Sequence, residues 1–87
     1  MNNEVKAGLY RHFKGNYYFV TGVLQNAEDE KSHMVIYFNA LQPENGTYMR
    51  PLESFIATHE EDGRVIKERP DNITGQSMRF ERVTELS

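Results

Sequence analysis

Short runs of β-branched and aromatic residues, separated by turn residues, constrain the fold of this chain most strongly. Residues 17–24 read Tyr-Tyr-Phe-Val-Thr-Gly-Val-Leu, and residues 34–38 read Met-Val-Ile-Tyr-Phe. Residues of these types favour strands. A Gly-Asn pair at 15–16 and an Asn-Gly pair at 45–46 favour turns beside them. Because no stretch shows the 3.6-residue periodicity of a long amphipathic helix, the sequence predicts an all-β protein.

The predicted strands follow one another as a meander. The polar residues 25–32 are predicted to form a loop between the two apolar runs, and residues 47–50 form the next strand. Residues 51–55 begin with proline and fit one helical turn, after which residues 55–59 return to an extended conformation. This pattern predicts a small β-barrel or curled sheet of about five strands with one short helical turn.

Both faces of the two long strands are apolar, because side chains alternate between the faces of a strand. The residues predicted to face the interior are Tyr18, Val20, Leu24, Ile36, Phe38 and Phe55. Gly22 is predicted to mark a bulge where the strand bends. The outer face keeps Tyr17, Phe19 and Val23, so we expect either a homodimer or cover from residues 78–83.

Length and composition set further bounds. The chain has 87 residues, no cysteine and a formal net charge of −3. This length fits a single domain over residues 1–87, and the absence of cysteine excludes disulfides and thiolate chemistry. The acidic balance argues against a dedicated duplex-DNA binder. The apolar runs are too short to cross a bilayer and residues 1–4 do not resemble a signal peptide, so we expect a soluble cytoplasmic protein without membrane contact.

The C-terminal part has a different composition. Residues 64–77 are rich in charged residues and include Pro70, Asn72 and Gly75. Such a composition is typical of surface loops. Residues 66–77 are therefore predicted to be a mobile insertion that precedes a C-terminal strand at 78–83.

Basic and aromatic side chains mark a candidate ligand-binding surface. Arginine pairs well with phosphate or carboxylate, and tyrosine stacks on a base or sugar. The candidate residues are Tyr10, Arg11, His12, Lys14, Tyr37, Tyr48 and Arg50. A second interpretation stays open, in which these are the solvent face of a strand and Arg50 makes a structural bond to a loop.

Catalytic and metal chemistry find little support in the sequence. His12 has no cysteine, serine or aspartate partner that the sequence places beside it, which favours a structural histidine. The residue types that bind metals cluster only at His33, His59, Glu60, Glu61 and Asp62, without zinc-site spacing, and residues 60–63 have the composition of a solvated turn. We therefore expect no catalytic residue, metal site or cofactor.

Two classes of function remain open. The chain is predicted to be a small non-catalytic module that binds a nucleotide, a single-stranded nucleic acid or a peptide. The alternative is a structural or interaction protein that forms an oligomer or docks on a larger partner. An enzyme ranks third, since no nucleophile, base or metal is accounted for.

Four ordered motifs resemble those of a known family. They are Gly-Leu-Tyr-Arg-His-Phe-Lys-Gly-Asn at 8–16, Tyr-Phe-Val-Thr-Gly-Val at 18–23, Val-Ile-Tyr at 35–37, and Tyr-Met-Arg-Pro at 48–51 before Phe55. The chain resembles, over about residues 6–65, a family of small bacterial and phage domains of unknown function. That family has YRHFKG, YxVxG and WVRP-type motifs. The resemblance implies an SH3-like β-barrel and no established activity.

The chain also departs from that family pattern. Family members usually carry a His-Ser-Glu-Thr run after the YxVxG strand, whereas residues 26–29 here are Asn-Ala-Glu-Asp. Tyr48 stands at the position of the motif tryptophan. The resemblance therefore implies no role for the His and Ser of that run in this chain.

Overall fold

The computed structural model describes residues 5–84. Its five strands, one α-helical turn and two 3-10 turns are, in chain order, β1 (Gly8–His12), β2 (Tyr17–Asn26), β3 (Asp29–Asn39), the 3-10 turn Pro43–Asn45, β4 (Thr47–Pro51), α1 (Leu52–Phe55), the 3-10 turn Ile66–Glu68 and β5 (Phe80–Arg82). The strands form one antiparallel sheet in the order β4-β3-β2-β1-β5.

The fold class confirms the curled-sheet form of the sequence prediction. Five strands and one short helical turn are present, with α1 directly after Pro51. The sheet does not close into a barrel, because β4 and β5 lie at opposite edges and do not pair. One face of the sheet, which we call the inner face, is covered by α1 and by the chain between α1 and β5.

The core lies on the inner face and is rich in aromatic side chains. Its buried residues are Tyr10, Val20, Val35, Tyr37, Phe55 and Phe80. The rings of Phe55 and Phe80 stack with 4.2 Å between centroids, and Tyr37 meets both rings edge-on at 5.8 and 5.4 Å. Such aromatic contacts add to the free energy of burying the rings themselves.

A bulge in β2 corrects the predicted core. The register of β2 against β3 shifts between Val20 and Gly22, as the prediction of a bulge at Gly22 implied. Val20 stays buried, but because of the extra residue the next inward position is Val23, which packs against the core. Leu24 therefore points outward and is 61% exposed. The predicted interior position of Leu24 was therefore wrong, as was the outer position of Val23.

The same register corrects the assignment of faces in β3. Tyr37 pairs with the buried Val20, and Val35 pairs with Val23. Directly paired residues lie on the same face, so Val35 and Tyr37 face the core. Ile36 and Phe38, which were predicted to be interior, lie on the outer face.

Two other predicted elements differ from the structure. Residues 25–32 are not a loop, since β2 and β3 continue as a hairpin until Asn26 pairs with Asp29 across a two-residue turn. Their polar side chains reflect solvent exposure of this hairpin rather than a break in the strands. Residues 55–59 form no strand beyond a single bridge between His59 and Val65.

Residues 66–77, predicted to be a mobile insertion, pack against the rest of the domain. Ile66 is fully buried and Gln76 is 4% exposed. The Gln76 amide nitrogen donates hydrogen bonds to the carbonyl oxygens of Arg11 and Met78, at 2.9 and 3.0 Å. These contacts favour an ordered segment.

The outer face of the sheet remains apolar and uncovered by the described residues. Phe19 is 39% exposed and packs beside Phe38, and Met49 is 69% exposed. The predicted cover from residues 78–83 is wrong, because β5 extends the sheet edge beside β1 instead of crossing this face.

Candidate functional site

The inner face carries a connected group of aromatic and basic side chains near the β1–β2 turn. Tyr37 pairs with Tyr48 across β3 and β4, and the two rings lie 5.7 Å apart. Tyr18 lies 5.5 Å from Tyr37 and 6.3 Å from His12. Arg50 pairs with the buried Val35, which places it on the same face. We call these five residues, namely His12, Tyr18, Tyr37, Tyr48 and Arg50, the Arg50 surface.

Arg50 is held by hydroxyl groups and not by a carboxylate. Its Nε donates a hydrogen bond to the Tyr37 hydroxyl at 3.2 Å, and its Nη1 donates one to the Ser54 hydroxyl at 2.9 Å. Its guanidinium carbon lies 5.8 Å from the centre of the Phe80 ring. Among residues 5–84, no carboxylate oxygen comes within 4.0 Å of this guanidinium. The positive charge of Arg50 is therefore not neutralised locally.

His12 is neutral in this environment. Its ring stacks on Phe13 at 4.3 Å and meets Phe80 edge-on at 4.9 Å. Burial, reinforced by the charges of Lys14, Arg79 and Arg50, lowers the pKa of His12 to about 4. Its Nδ1 accepts a hydrogen bond from the backbone N–H of Lys14 at 3.1 Å, so the ring hydrogen is on Nε2.

A chain of ion pairs borders this surface. Arg79 donates from Nη1 to Glu60 at 2.6 Å, and Glu60 also accepts a hydrogen bond from Arg69. Arg69 forms a bidentate pair with Asp71, with both distances 2.8 Å, and the Lys14 Nζ lies 3.8 Å from the same carboxylate. This ion-pair chain therefore alternates cations and carboxylates, in the order Arg79, Glu60, Arg69, Asp71 and Lys14.

The two carboxylates of the ion-pair chain, Glu60 and Asp71, ionise more readily than usual. Burial opposes ionisation of Glu60, but the hydrogen bond and charge of Arg79, together with Arg69, outweigh burial and lower the pKa of Glu60. The hydrogen bonds from Arg69 lower the pKa of Asp71 to about 2. Both groups are therefore charged at neutral pH.

The local charge is positive although the whole chain is acidic. Four cations, Arg50, Arg79, Arg69 and Lys14, face two carboxylates, Glu60 and Asp71, which leaves an excess of two positive charges. The formal net charge of the chain is −3. An anion would therefore find a favourable potential at this surface and not over the molecule as a whole.

The structure brings together only part of the predicted site. His12, Tyr37, Tyr48 and Arg50 share the inner face, with Lys14 next to His12 in the turn. Tyr10 and Tyr37 are each 6% exposed in the core, so neither ring is open for stacking. The Tyr10 hydroxyl bonds to the main chain of Lys6, whereas Tyr37 takes part through its hydroxyl bond to Arg50.

Arg11 does not converge with Arg50. It alternates with Tyr10 along β1 and pairs with Tyr17 and Glu81, which places it on the outer face. Two strands, β2 and β3, also separate β1 from β4. The prediction of one surface that holds both Arg11 and Arg50 was wrong, because the two residues lie on opposite faces of the sheet.

Three of the five residues named as metal-ligand types bond to other side chains. Glu60 bonds to two arginines, Asp62 bonds to Arg64, and the His59 ring lies 3.0 Å from the Thr58 hydroxyl. Within residues 5–84, no three His, Asp or Glu side chains are grouped to hold a metal ion.

Sequence reasoning missed the ion-pair chain. Glu60 stands in a stretch, residues 60–63, with the composition of a solvated turn. Its partners Arg69 and Arg79 lie nine and nineteen positions further along the sequence. No local periodicity links residues at such separations. The one usable signal was the density of arginine and acidic residues between 60 and 79, which by itself fits an exposed loop equally well.

The fold and this surface define a small antiparallel sheet domain with an aromatic, cationic inner face. A family model described as "Protein of unknown function (DUF1653)" matches residues 8–82. The chain therefore belongs to this family, and the match extends beyond residue 65 to the last strand. Searches of curated proteins and of solved structures gave no match. No helix within residues 5–84 is long and apolar enough to cross a membrane.

Proposed function

We propose that this domain is a small non-catalytic binding module that holds a phosphate-bearing ligand with a flat aromatic group, a nucleotide, on the Arg50 surface. The observation that carries this proposal is the half-buried Arg50 guanidinium without a carboxylate partner among the described residues. A cation held in place by hydroxyl groups is oriented without being neutralised, so it remains available to an anion.

Each residue of the surface has a distinct part in the proposal. The Arg50 Nη2 has no partner among residues 5–84 and supplies a donor for a phosphate oxygen. Tyr48 is 40% exposed beside Tyr37 and offers a face for a base. The His12 Nε2–H is a neutral donor, and Lys14 adds positive charge nearby.

The same geometry supports a role without catalysis. A general base needs a free lone pair and a pKa near the working pH. The Nδ1 lone pair of His12 already accepts a hydrogen bond, and its pKa of about 4 is far below neutrality. His12 is therefore suited to donating a hydrogen bond and not to accepting a proton.

The experiment compares four probes by NMR titration of the ¹⁵N-labelled chain: adenosine 5′-monophosphate, ribose 5-phosphate, adenosine and inorganic phosphate. We expect the nucleotide to bind most tightly and adenosine most weakly, with shifts at the Arg50 side chain and Tyr48. Loss of a charge-assisted hydrogen bond costs about 1.5–3 kcal/mol, so Arg50→Gln should weaken nucleotide binding roughly 10- to 100-fold.

The matched control is Lys67→Gln, which removes the same charge from an exposed residue without an ion pair among residues 5–84. Equal weakening by both variants would reduce the effect to general electrostatics and contradict the proposal. Equal binding of adenosine and its monophosphate would also contradict it. Much tighter binding of oligothymidylate than of any mononucleotide would change the ligand to a single-stranded nucleic acid.

The exposed outer face supports the alternative function, an interaction protein. Phe19, Phe38 and Met49 form an apolar patch that no described residue covers. Sedimentation of the chain and of the Met49→Lys variant tests this alternative. A dimer that the variant converts to a monomer would favour it, and two monomers would count against self-association.

A further inference from the structure

A groove lies at the β5 edge of the sheet, apart from the Arg50 surface. Its volume is about 560 Å³. Its walls are mainly apolar and include the core rings of Tyr10, Phe55 and Phe80 with the partly buried Ile56 and Met78. Grooves that accept a ligand typically measure roughly 300 to 1,000 Å³ and combine an apolar lining with a few polar groups.

The rim of this groove carries cations without local partners. Lys6 and Arg82 line the groove, both are exposed, and no carboxylate oxygen within residues 5–84 lies within 4.0 Å of either. Glu81 also borders the groove, but it pairs with Arg11 and its side chain alternates to the outer face. The rim therefore complements acidic groups.

The sheet edge beside the groove has main-chain groups that point away from β1. Val83 donates to the Leu9 carbonyl at 2.9 Å, and Phe13 donates to the Arg79 carbonyl at 3.2 Å. These two pairs and the Arg11–Glu81 pair between them are the hydrogen-bonded rungs of the ladder. The intervening Arg82 therefore directs its N–H and C=O outward, and neither has a partner among the described residues.

We infer that this groove is a docking site for an extended segment of a partner protein. An apolar side chain of the segment enters the groove, its acidic side chains meet Lys6 and Arg82, and its main chain pairs with the outward groups of Arg82. Binding of this kind takes affinity from main-chain hydrogen bonds and specificity from side-chain pockets. This inference is independent of the nucleotide proposal, because Arg50 takes no part in it.

A random heptapeptide library displayed on phage supplies the probe. We expect selection on the full chain to enrich peptides that combine Leu, Ile, Val or Phe with Asp or Glu. Enrichment of lysine- and arginine-rich peptides, or no enrichment at all, would overturn the inference.

The selected peptide is then measured by fluorescence anisotropy against two double variants of equal charge change. Lys6→Glu with Arg82→Glu should weaken binding roughly tenfold, as expected for the loss of two exposed ion pairs. Lys31→Glu with Lys67→Glu changes exposed lysines away from the groove and should leave binding within twofold. Equal weakening by both double variants would overturn the inference, and binding should be unchanged in Arg50→Gln.

Main-chain pairing is tested separately at Arg82. Arg82→Ala removes the charge and keeps the N–H, whereas Arg82→Pro removes both at an edge position that β1 does not use. Binding should be at least threefold weaker in the proline variant than in the alanine variant, with equal melting temperatures. Equal binding by the two variants would contradict strand pairing.

Sedimentation tests whether a second copy of the chain occupies the groove. A dimer that Lys6→Glu with Arg82→Glu converts to a monomer would place a second copy in the groove and overturn the inference.

Discussion

The meander β1–β4 and the chain from α1 to β5 are stabilised in different ways. In the meander, neighbouring strands are consecutive in sequence, and they are joined by ladders of main-chain hydrogen bonds that only local irregularities in β2 interrupt. Between α1 and β5 there is only one 3-10 turn. There the scattered main-chain hydrogen bonds are supplemented by side chains that bond to the main chain, including Asn72, whose amide nitrogen donates to the carbonyls of Ile66 and Gln76 at 2.9 Å each.

The difference shows how irregular chain can cover a sheet. A segment without ladders must satisfy its main-chain groups by other means, because buried polar groups without partners are costly. The Asn72 carbonyl oxygen accepts from the backbone N–H groups of Thr74 and Gly75, at 3.1 and 2.7 Å. Polar residues that read as a loop in the sequence therefore serve here as the internal bonds of a packed segment.

The largest expected effect tests whether this segment is part of the folded core. Ile66 is fully buried, whereas Ile73 in the same segment is 74% exposed. Ile66→Ala should lower the free energy of unfolding by about 2–4 kcal/mol, because truncating a buried side chain leaves a cavity. Ile73→Ala is the matched control and should cost less than about 1 kcal/mol. Urea denaturation measures both, and equal small costs would support a mobile insertion at 66–77.

A smaller effect is expected at the ion-pair chain that joins this segment to its neighbours. The Glu60 side chain is 17% exposed between Arg69 and Arg79, whose side chains are 11% and 9% exposed. Glu60→Gln keeps the shape but removes the charge, and should cost about 1.5–3 kcal/mol. The neighbouring exposed Glu61→Gln makes the same chemical change and should cost less than about 0.5 kcal/mol. If the two variants unfolded at the same urea concentration, the chain of ion pairs would contribute nothing to stability.

The sequence was most informative where contacts are local. The apolar strand segments at 17–24 and 34–38, the helical turn after Pro51 and the last strand follow from residue type and turn chemistry. The faces of the two long strands did not follow, because both faces are apolar and because the bulge at Gly22 changes the alternation within β2. The bulge moved Leu24 to the outer face, whereas Ile36 and Phe38 were misplaced because residues 34–38 are apolar on both faces.

The candidate site shows the same limit. His12, Tyr37, Tyr48 and Arg50 share a face because β1 to β4 bring the inward positions of neighbouring strands together. The error at Arg11 came from treating the first strand as one basic surface, although its residues alternate between faces. The partners of Glu60 could not be predicted, since pairing across irregular chain depends on how the whole segment folds back over Phe13 and the sheet.

The smallest expected effect is a change of stability with pH that belongs to the inner face. The pKa of His12 is about 4 in the folded domain, against 6.5 for a free histidine. Between these values the unfolded chain binds a proton that the folded domain does not, so the free energy of unfolding should fall as pH drops from 6.5 to 4. The depressed pKa values of Glu60 and Asp71 act at lower pH, because the stabilisation from each carboxylate is lost as the pH falls through its lowered folded-state pKa, which for Asp71 is about 2. Urea denaturation from pH 3 to 8 measures both losses of stability.

The variant His12→Gln separates the two losses. It should remove the fall in the free energy of unfolding between pH 6.5 and 4 and keep the fall below pH 4. An unchanged slope in this variant would mean that His12 is not held neutral, and at mildly acidic pH its ring would then keep the Nε2–H, lose the Nδ1 acceptor that Lys14 uses and add a positive charge to the Arg50 surface.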